Sequence, residues 1–347
     1  MRTRRREFLR ICGLAMAGAV ASPAVAGATR VRILDPAADG DRPILAGQVS
    51  LDFQRFMAGI RVGPAKAHAG LLVFGLVAKE MPAALEVSTL DEARAKGSLI
   101  ITEREQAAVP ELLVDNRGKT AVLMLAGEIL VGGKQNRVLK EDVLLPPLSG
   151  PRNLAVYCVE RGRWNEGRKE FESKSSFAQP GIRAHLMRKA PQSQVWSAVS
   201  QATRAAEAQS PTDSYQQIYE KPEVKSHLAD AERGLDAAAA PGAFGAAVFT
   251  GGGLSGLDLF HAPTLFAREW PKLLRAHAVE AYRQPRPTEW PEAKLRARVE
   301  ALLGGAARTE GTLHGNAGVG QLFEFRLDQA QGAALLYEGR AIHTAIL

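Results

Sequence analysis

A polar run held between apolar segments constrains this chain most. Residues 127–137 read GEILVGGKQNR, and CVERGRW follows at 158–164. A segment that only packs needs apolar residues at a helical or strand period. Lys134-Gln135-Asn136-Arg137 has neither period, so the run reads as a polar site set between two strands. The two glycines before it permit close backbone approach.

The flanking sequence reads mainly as strands from Ala46 to about Trp164. Leu71 to Val77 is a short apolar run. Thr89 to Gly97 predicts a short helix, with Thr89 and Glu92 spaced as a capping box and Gly97 as the stop. Leu99 to Glu103 alternates like a strand. Glu111–Asn116 and Thr120–Leu125 flank a turn and predict a hairpin. Leu154 to Glu160 is a further strand, in which alternation puts Val156, Cys158 and Glu160 on one face.

Residues 165–190 are polar and predict a long loop. Three helices follow, over Gln194–Gln209, from Ser210-Pro211 onward, and over Glu223–Ala240. This is a helical excursion at about 190–240, with no lasting heptad. Phe244–Thr250 then predicts a strand running into Gly251-Gly252-Gly253, and helices are expected over Glu269–Arg283 and Glu292–Leu303. Short strands separated by glycines close the chain. The fold class is α+β, with a β-rich N-terminal part and a mixed α/β C-terminal part closing the same domain at 46–347.

The N-terminus predicts export. Arg5-Arg6-Glu7-Phe8-Leu9-Arg10, an apolar Ala/Gly-rich stretch and Ala24-Val25-Ala26 fit a twin-arginine signal peptide over 1–26, with cleavage near Ala26 or Ala28. The apolar stretch is too short for an ordinary membrane span. An uncleaved anchor is the alternative. Residues 27–45 are a lead-in without period. The expected location is the periplasm, with the Tat translocase as a transient partner and no stable span after cleavage. Because this route carries folded proteins, it raises the expectation of a bound ligand and names no cofactor.

The same segment explains the basic charge. Residues 1–26 hold five Arg and one Glu, so they carry +4 of the formal +7. The rest is close to neutral and lacks a Lys/Arg block, which sets nucleic-acid binding aside. Of two cysteines, Cys12 lies in the signal, so Cys158 has no intrachain partner.

Candidate chemistry follows from residue type. Glu128 and Glu160 suit acid/base work or structural ion pairs. Cys158 is a candidate nucleophile or a buried strand thiol. Lys134, Gln135, Asn136, Arg137 and Arg163 suit an anionic ligand, on which Trp164 would stack. Asp258, after the glycine run, is a further ligand candidate. The glycine run lacks a phosphate-loop ending and suits a hairpin turn better. No metal-ligand spacing and no G-x-S-x-G elbow occurs in the sequence.

Several segments together carry a resemblance: TLDEARAKG at 89–97, ELLVDNRG at 111–118, GEILVGGKQNR, CVERGRW, QVWSAV at 194–199, GGLSGLDLF at 252–260 and ALLYEGRAIHTAIL at 334–347. Over about 46–347 the chain resembles the family named for association with ADP-ribosylglycohydrolase and rhodanese–phosphatase proteins, a domain of unknown function. The family-like polar positions are Glu128, Lys134, Gln135, Asn136, Arg137, Cys158, Glu160, Gly162, Arg163 and Trp164, with His343 near the end. Ile129 stands where a second acidic residue is expected. The resemblance implies a small anionic ligand of ADP-ribose or NAD-derived type, bound or processed. A non-catalytic scaffold or partner-binding module is the competing expectation.

Overall fold

A computed structural model describes residues 31–34, 42–44, 47–79, 85–104, 109–165, 167–236, 242–251 and 253–347. The expected signal peptide over 1–26 and most of the lead-in lie outside the described residues. Among them a ten-stranded sheet, a six-stranded sheet and a three-stranded sheet combine with helices, so the fold is α+β.

The strands Leu71–Ala78 and Gly245–Thr250 lie side by side in the large sheet, in antiparallel register. Their alternation sorts side chains to two faces. Leu71, Val73, Ala246 and Val248 pack under the long helix Pro263–Ala281. Leu72, Phe74, Leu76, Ala247 and Phe249 face the helices Gly47–Gly59 and Glu292–Ala306. A third core lies among the smaller sheets, where Leu112, Val114, Leu154 and Val156 meet Val122, Met124, Val143 and Leu145.

The short helix Leu90–Ala95 carries the expected capping box, in which Thr89 Oγ1 accepts from the Glu92 amide and Glu92 accepts from the Thr89 amide. The strands on either side of the glycine run form a hairpin, since Gly245–Thr250 pairs antiparallel with Gly253–Phe260. The helical excursion is Gln192–Ala205, Gln216–Glu220 and Pro222–Leu235.

Four local expectations are corrected. Residues 47–59 form a helix, with Phe53 and Met57 buried, where strands were expected. Glu111–Asn116 and Ala121–Met124 do not pair as a hairpin and belong to different sheets. Asn116 turns that corner by donating from Nδ2 to the Thr120 and Pro146 carbonyls, each at 2.9 Å. The polar stretch 165–190 contains the strand Phe171–Phe177, which ends one sheet and so leaves alternate residues in water, and the helix Pro180–Met187. Ser210-Pro211 starts a turn, and the helix begins only at Gln216. No helix among the described residues is long and apolar enough to cross a membrane.

Candidate functional site

The residues singled out above fall into three groups. No side-chain hydrogen bond or ion pair joins one group to another among the described residues.

The first group surrounds the polar run. Arg137 leads the strand Arg137–Leu139, opposite Cys158 on its neighbour. Asn136 binds the strand end at three points. Its amide donates to Glu160 Oε2 at 3.0 Å, its Oδ1 accepts from the Gly132 amide at 2.9 Å, and its Nδ2 meets Ser214 Oγ at 3.1 Å. Arg163 donates to Glu160 Oε2, to the Gly133 and Gly132 carbonyls and to Asn136 Oδ1, all between 2.9 and 3.0 Å. Thr212 Oγ1 donates to the other Glu160 oxygen at 2.9 Å. Burial alone raises the Glu160 carboxyl; Arg163, the Asn136 amide and Thr212 outweigh it and hold the group below its ordinary range.

The glycines in this run serve the sheet. Gly132 has φ +131°, and a Cβ there would stand 2.5 Å from the Glu170 carbonyl. The close approach is to the next strand. Arg137 is fully buried and donates to Gln135 Oε1 at 3.1 Å, with Glu103 Oε1 at 3.8 Å. Burial pulls its guanidinium below the ordinary value, while Cys158 and Glu103 oppose that. Cys158 is also fully buried, and its Sγ lies 3.3 Å from Gln135 Oε1 and from the Glu160 carbonyl. Gln192 clasps the Cys158 backbone through both of its amide atoms, each at 2.9 Å. Trp164 stays exposed, with Lys134 Nζ 4.8 Å above its ring.

Glu128 belongs to a second group. Its Oε2 accepts from the Leu125 amide at 2.8 Å, and its Oε1 meets Lys272 Nζ. Lys272 also pairs with Glu269 at 2.8 Å and with Asp91 at 3.4 Å. Three carboxylates therefore share one buried ammonium. Burial, opposed by Lys272 and reinforced by Glu269 and Asp91, pushes the Glu128 carboxyl up to about 8. Burial disfavours the Lys272 ammonium, yet the carboxylates raise it above its ordinary value.

Asp258 and His343 meet in a third group. Arg183 holds Asp258 with two hydrogen bonds, at 3.0 and 2.6 Å. His343 spans two carboxylates, with Nε2 at 3.1 Å from Asp258 and Nδ1 at 2.6 Å from Asp142. Burial works against the imidazolium, but Asp142 and Asp258 hold its proton and raise it to about 9. Burial raises Asp258 too, and Arg183 with His343 overrides it to leave the carboxylate well below its ordinary value. The result is a buried chain of alternating charge, Asp142–His343–Asp258–Arg183.

The turn at Leu125–Glu128 sits between the second and third groups. The Ala126 amide donates to Asp142 Oδ1 at 2.8 Å, one residue after Leu125 serves Glu128. Between them Gly127 has φ +108°, and a Cβ there would press the Phe177 ring at 2.7 Å and the Arg183 side chain at 3.1 Å.

The outer end of the alternating chain reaches solvent. Asp142 and Arg183 line a recess of about 40 Å³ that also touches Lys140, Met187, Lys189 and Glu324. The last three also line a cleft of about 620 Å³, walled further by Arg188 and Arg326. Lys189 is engaged with Glu324 at 2.9 Å. Arg188 and Arg326 are exposed and make no ion pair among the described residues.

Sequence reasoning missed Arg183, Asp142, Lys272 and Glu269. A signal for two of them exists. The helix Pro263–Ala281 is apolar on its packed face, yet Glu269, Lys272 and His277 are all buried there. Charged residues on a core-facing stripe almost always have partners.

The family model for the ARG and Rhodanese-Phosphatase-superfamily-associated Protein domain matches residues 59–347. No curated protein and no solved structure matches the chain.

Proposed function

We propose that this chain, which belongs to the ARG and Rhodanese-Phosphatase-superfamily-associated Protein domain family, binds a small anionic ligand in the cleft walled by Arg188 and Arg326. One observation carries the reading: two guanidiniums outside any ion pair among the described residues line a single cleft, whose acidic members are Glu310 and the Glu324 that Lys189 engages. A guanidinium is a planar fork that suits phosphate and carboxylate oxygens. At about 620 Å³ the cleft has the size of a small-molecule site. In the adjoining recess the alternating chain holds Asp142 and Arg183 with their charges paired. ADP-ribose and NAD-derived nucleotides are the first candidates, on the family's name alone. The proposal includes export to the periplasm, resting on residues 1–26, and assigns no reaction.

The test is a thermal-shift panel of ADP-ribose, NAD, nucleotides, sugar phosphates and dicarboxylates. A ligand that binds only the folded state raises the melting temperature by mass action. At least one anion is expected to shift the wild type and to lose that shift in Arg188→Ala/Arg326→Ala. A shift that survives the double variant, or no shift from any anion, removes this site.

A second reading is a scaffold without a ligand. The Asn136–Glu160–Arg163 network favours it, since its members are engaged with one another and with strand ends. It predicts that the protein's partners, not small anions, protect it from unfolding.

A further inference from the structure

A second groove lies away from the basic cleft. The helices Pro180–Met187, Gln192–Ala205 and Pro263–Ala281 enclose about 580 Å³. Its walls are Ile182, Ala198, Ala202, Ala206 and Val279, and its polar edges include Gln179, Gln201 and Gln284. Glu280 and His185 also line it. We propose that this groove binds an organic ammonium with a small apolar body, its charge paired with the Glu280 carboxylate.

Glu280 is an acid without a counter-ion. No Lys, Arg or His nitrogen lies within ion-pair distance of it among the described residues. Its hydrogen-bond partners are the Ser255 hydroxyl, at 3.4 Å, and the Gly181 amide. Arg183 faces it from the first helix but is committed to Asp258 by both hydrogen bonds. At the mouth Arg283 is taken by Glu207. Arg204, on the second helix, is exposed and does not line the groove. The groove therefore lacks the cation that its carboxylate needs.

A second atom is unmet on the same wall. His185 Nδ1 is buried and has no hydrogen-bond partner. Burial and then Arg188 lower the His185 imidazole, so near neutral pH it is uncharged and can accept from an ammonium N–H. The alanine wall suits an alkyl or small cyclic body.

Burial holds a proton on Glu280 while the groove is empty, and His277 and Ser255 lie behind it. His277 is lowered to about 4, chiefly by burial, so its ring is neutral. Its Nε2 lies 4.0 Å from Asp258, beyond hydrogen-bond reach. Its Nδ1 lies 2.8 Å from Ser255 Oγ and is the donor of that pair when the Ser255 hydroxyl turns to Glu280. Ser255 Oγ donates to Glu280 Oε2 at 3.4 Å, a bond that favours the carboxylate. Burial raises this carboxyl to about 7, against Ser255, the Gly181 amide and Arg183. Binding is a proton exchange: the acid and R–NH₃⁺ give the ion pair, and one H⁺ leaves to bulk water.

Ligand-observed NMR on the purified protein tests this. The probes are n-butylammonium and 1,4-diaminobutane, against n-butanol and 1,4-butanediol, at pH 6 and pH 8. The amines are expected to bind, their neutral partners not, and affinity is expected to rise roughly tenfold between the two pH values as Glu280 ionises. Glu280→Gln should lose the amines. Ala198→Phe, which fills the groove without touching Glu280, should lose them as well and guards against a folding defect in the first variant. Amines that bind no better than the neutral probes, affinity independent of pH, or binding retained in both variants overturns the proposal.

Discussion

The polar run at 132–137 and the charge chain at Asp142–His343–Asp258–Arg183 are both buried, yet they are built in opposite ways. The first draws its partners from 3 to 78 residues away along the chain. Asn136 and Arg163 donate largely to backbone carbonyls and to one carboxylate, and the glycines let a neighbouring strand approach. Its job is to close strand ends that would otherwise leave polar groups unmet. The second is long-range. Asp142 and His343 lie 201 residues apart in sequence, and the chain they form ends at a recess beside a basic cleft. A dense polar motif therefore marks a demanding piece of architecture here, while the charges nearest a ligand-sized space are scattered through the sequence.

The Lys272 cluster offers the hardest test of burial. Lys272→Met leaves Glu128, Glu269 and Asp91 without their shared cation and should destabilise the protein by about 3–5 kcal/mol in urea unfolding. A loss under about 1 kcal/mol would mean that the carboxylates take up protons freely, and the cluster would not be the tight network described. Asp258→Asn removes the partner of Arg183 and one partner of His343. It should cost about 3 kcal/mol by the same measurement, and should also loosen the cleft wall, seen as faster amide exchange around Arg183.

The first network should give a smaller effect. Glu160→Gln keeps the shape but removes the charge that Arg163 and the Asn136 amide meet, for about 1–3 kcal/mol. If this variant instead kept full stability and lost binding of an anion, the comparison would invert.

Titration sharpens the contrast. Glu128 is raised to about 8 and Glu280 to about 7 from an ordinary 4.5, and His343 to about 9 from 6.5. Each binds its proton more tightly in the folded state than in the unfolded one. The stability they contribute is fully present below the unfolded values and is lost as pH rises through the folded ones. Stability should fall between about pH 4.5 and 9, and Glu128→Gln should flatten the slope. Glu160, depressed instead, contributes only above its unfolded value and should leave that window unchanged. The smallest expected effect is at the cleft, where Arg188→Ala/Arg326→Ala should stay within about 0.5 kcal/mol of wild type.

Local signals in the sequence were readable where the cause is local. The Thr89–Glu92 capping box marks its helix, and the glycine run marks its hairpin. The expected 111–125 hairpin failed because spacing says nothing about partners: Glu111–Asn116 pairs with Leu99–Thr102 and Pro151–Cys158 instead. The strand Phe171–Phe177 was hidden by Glu172, Lys174 and Ser175, which an edge strand can turn to water. In the site, Asp258 and His343 were visible as isolated polar residues. Arg183 and Asp142 were not, because only the folded sheet brings them together. Glu280 and His277 belonged to a helix that read as ordinary, since their spacing matches the packed face.

The most direct measurement is a comparison of melting temperatures, with and without the anion that shifts the wild type, for Glu160→Gln and for Arg188→Ala/Arg326→Ala. The account predicts that Glu160→Gln melts lower but keeps the ligand shift, while the double variant melts like wild type and loses it. The reverse pattern, with the shift lost in Glu160→Gln and retained in the double variant, would place the ligand at the polar run and contradict the account.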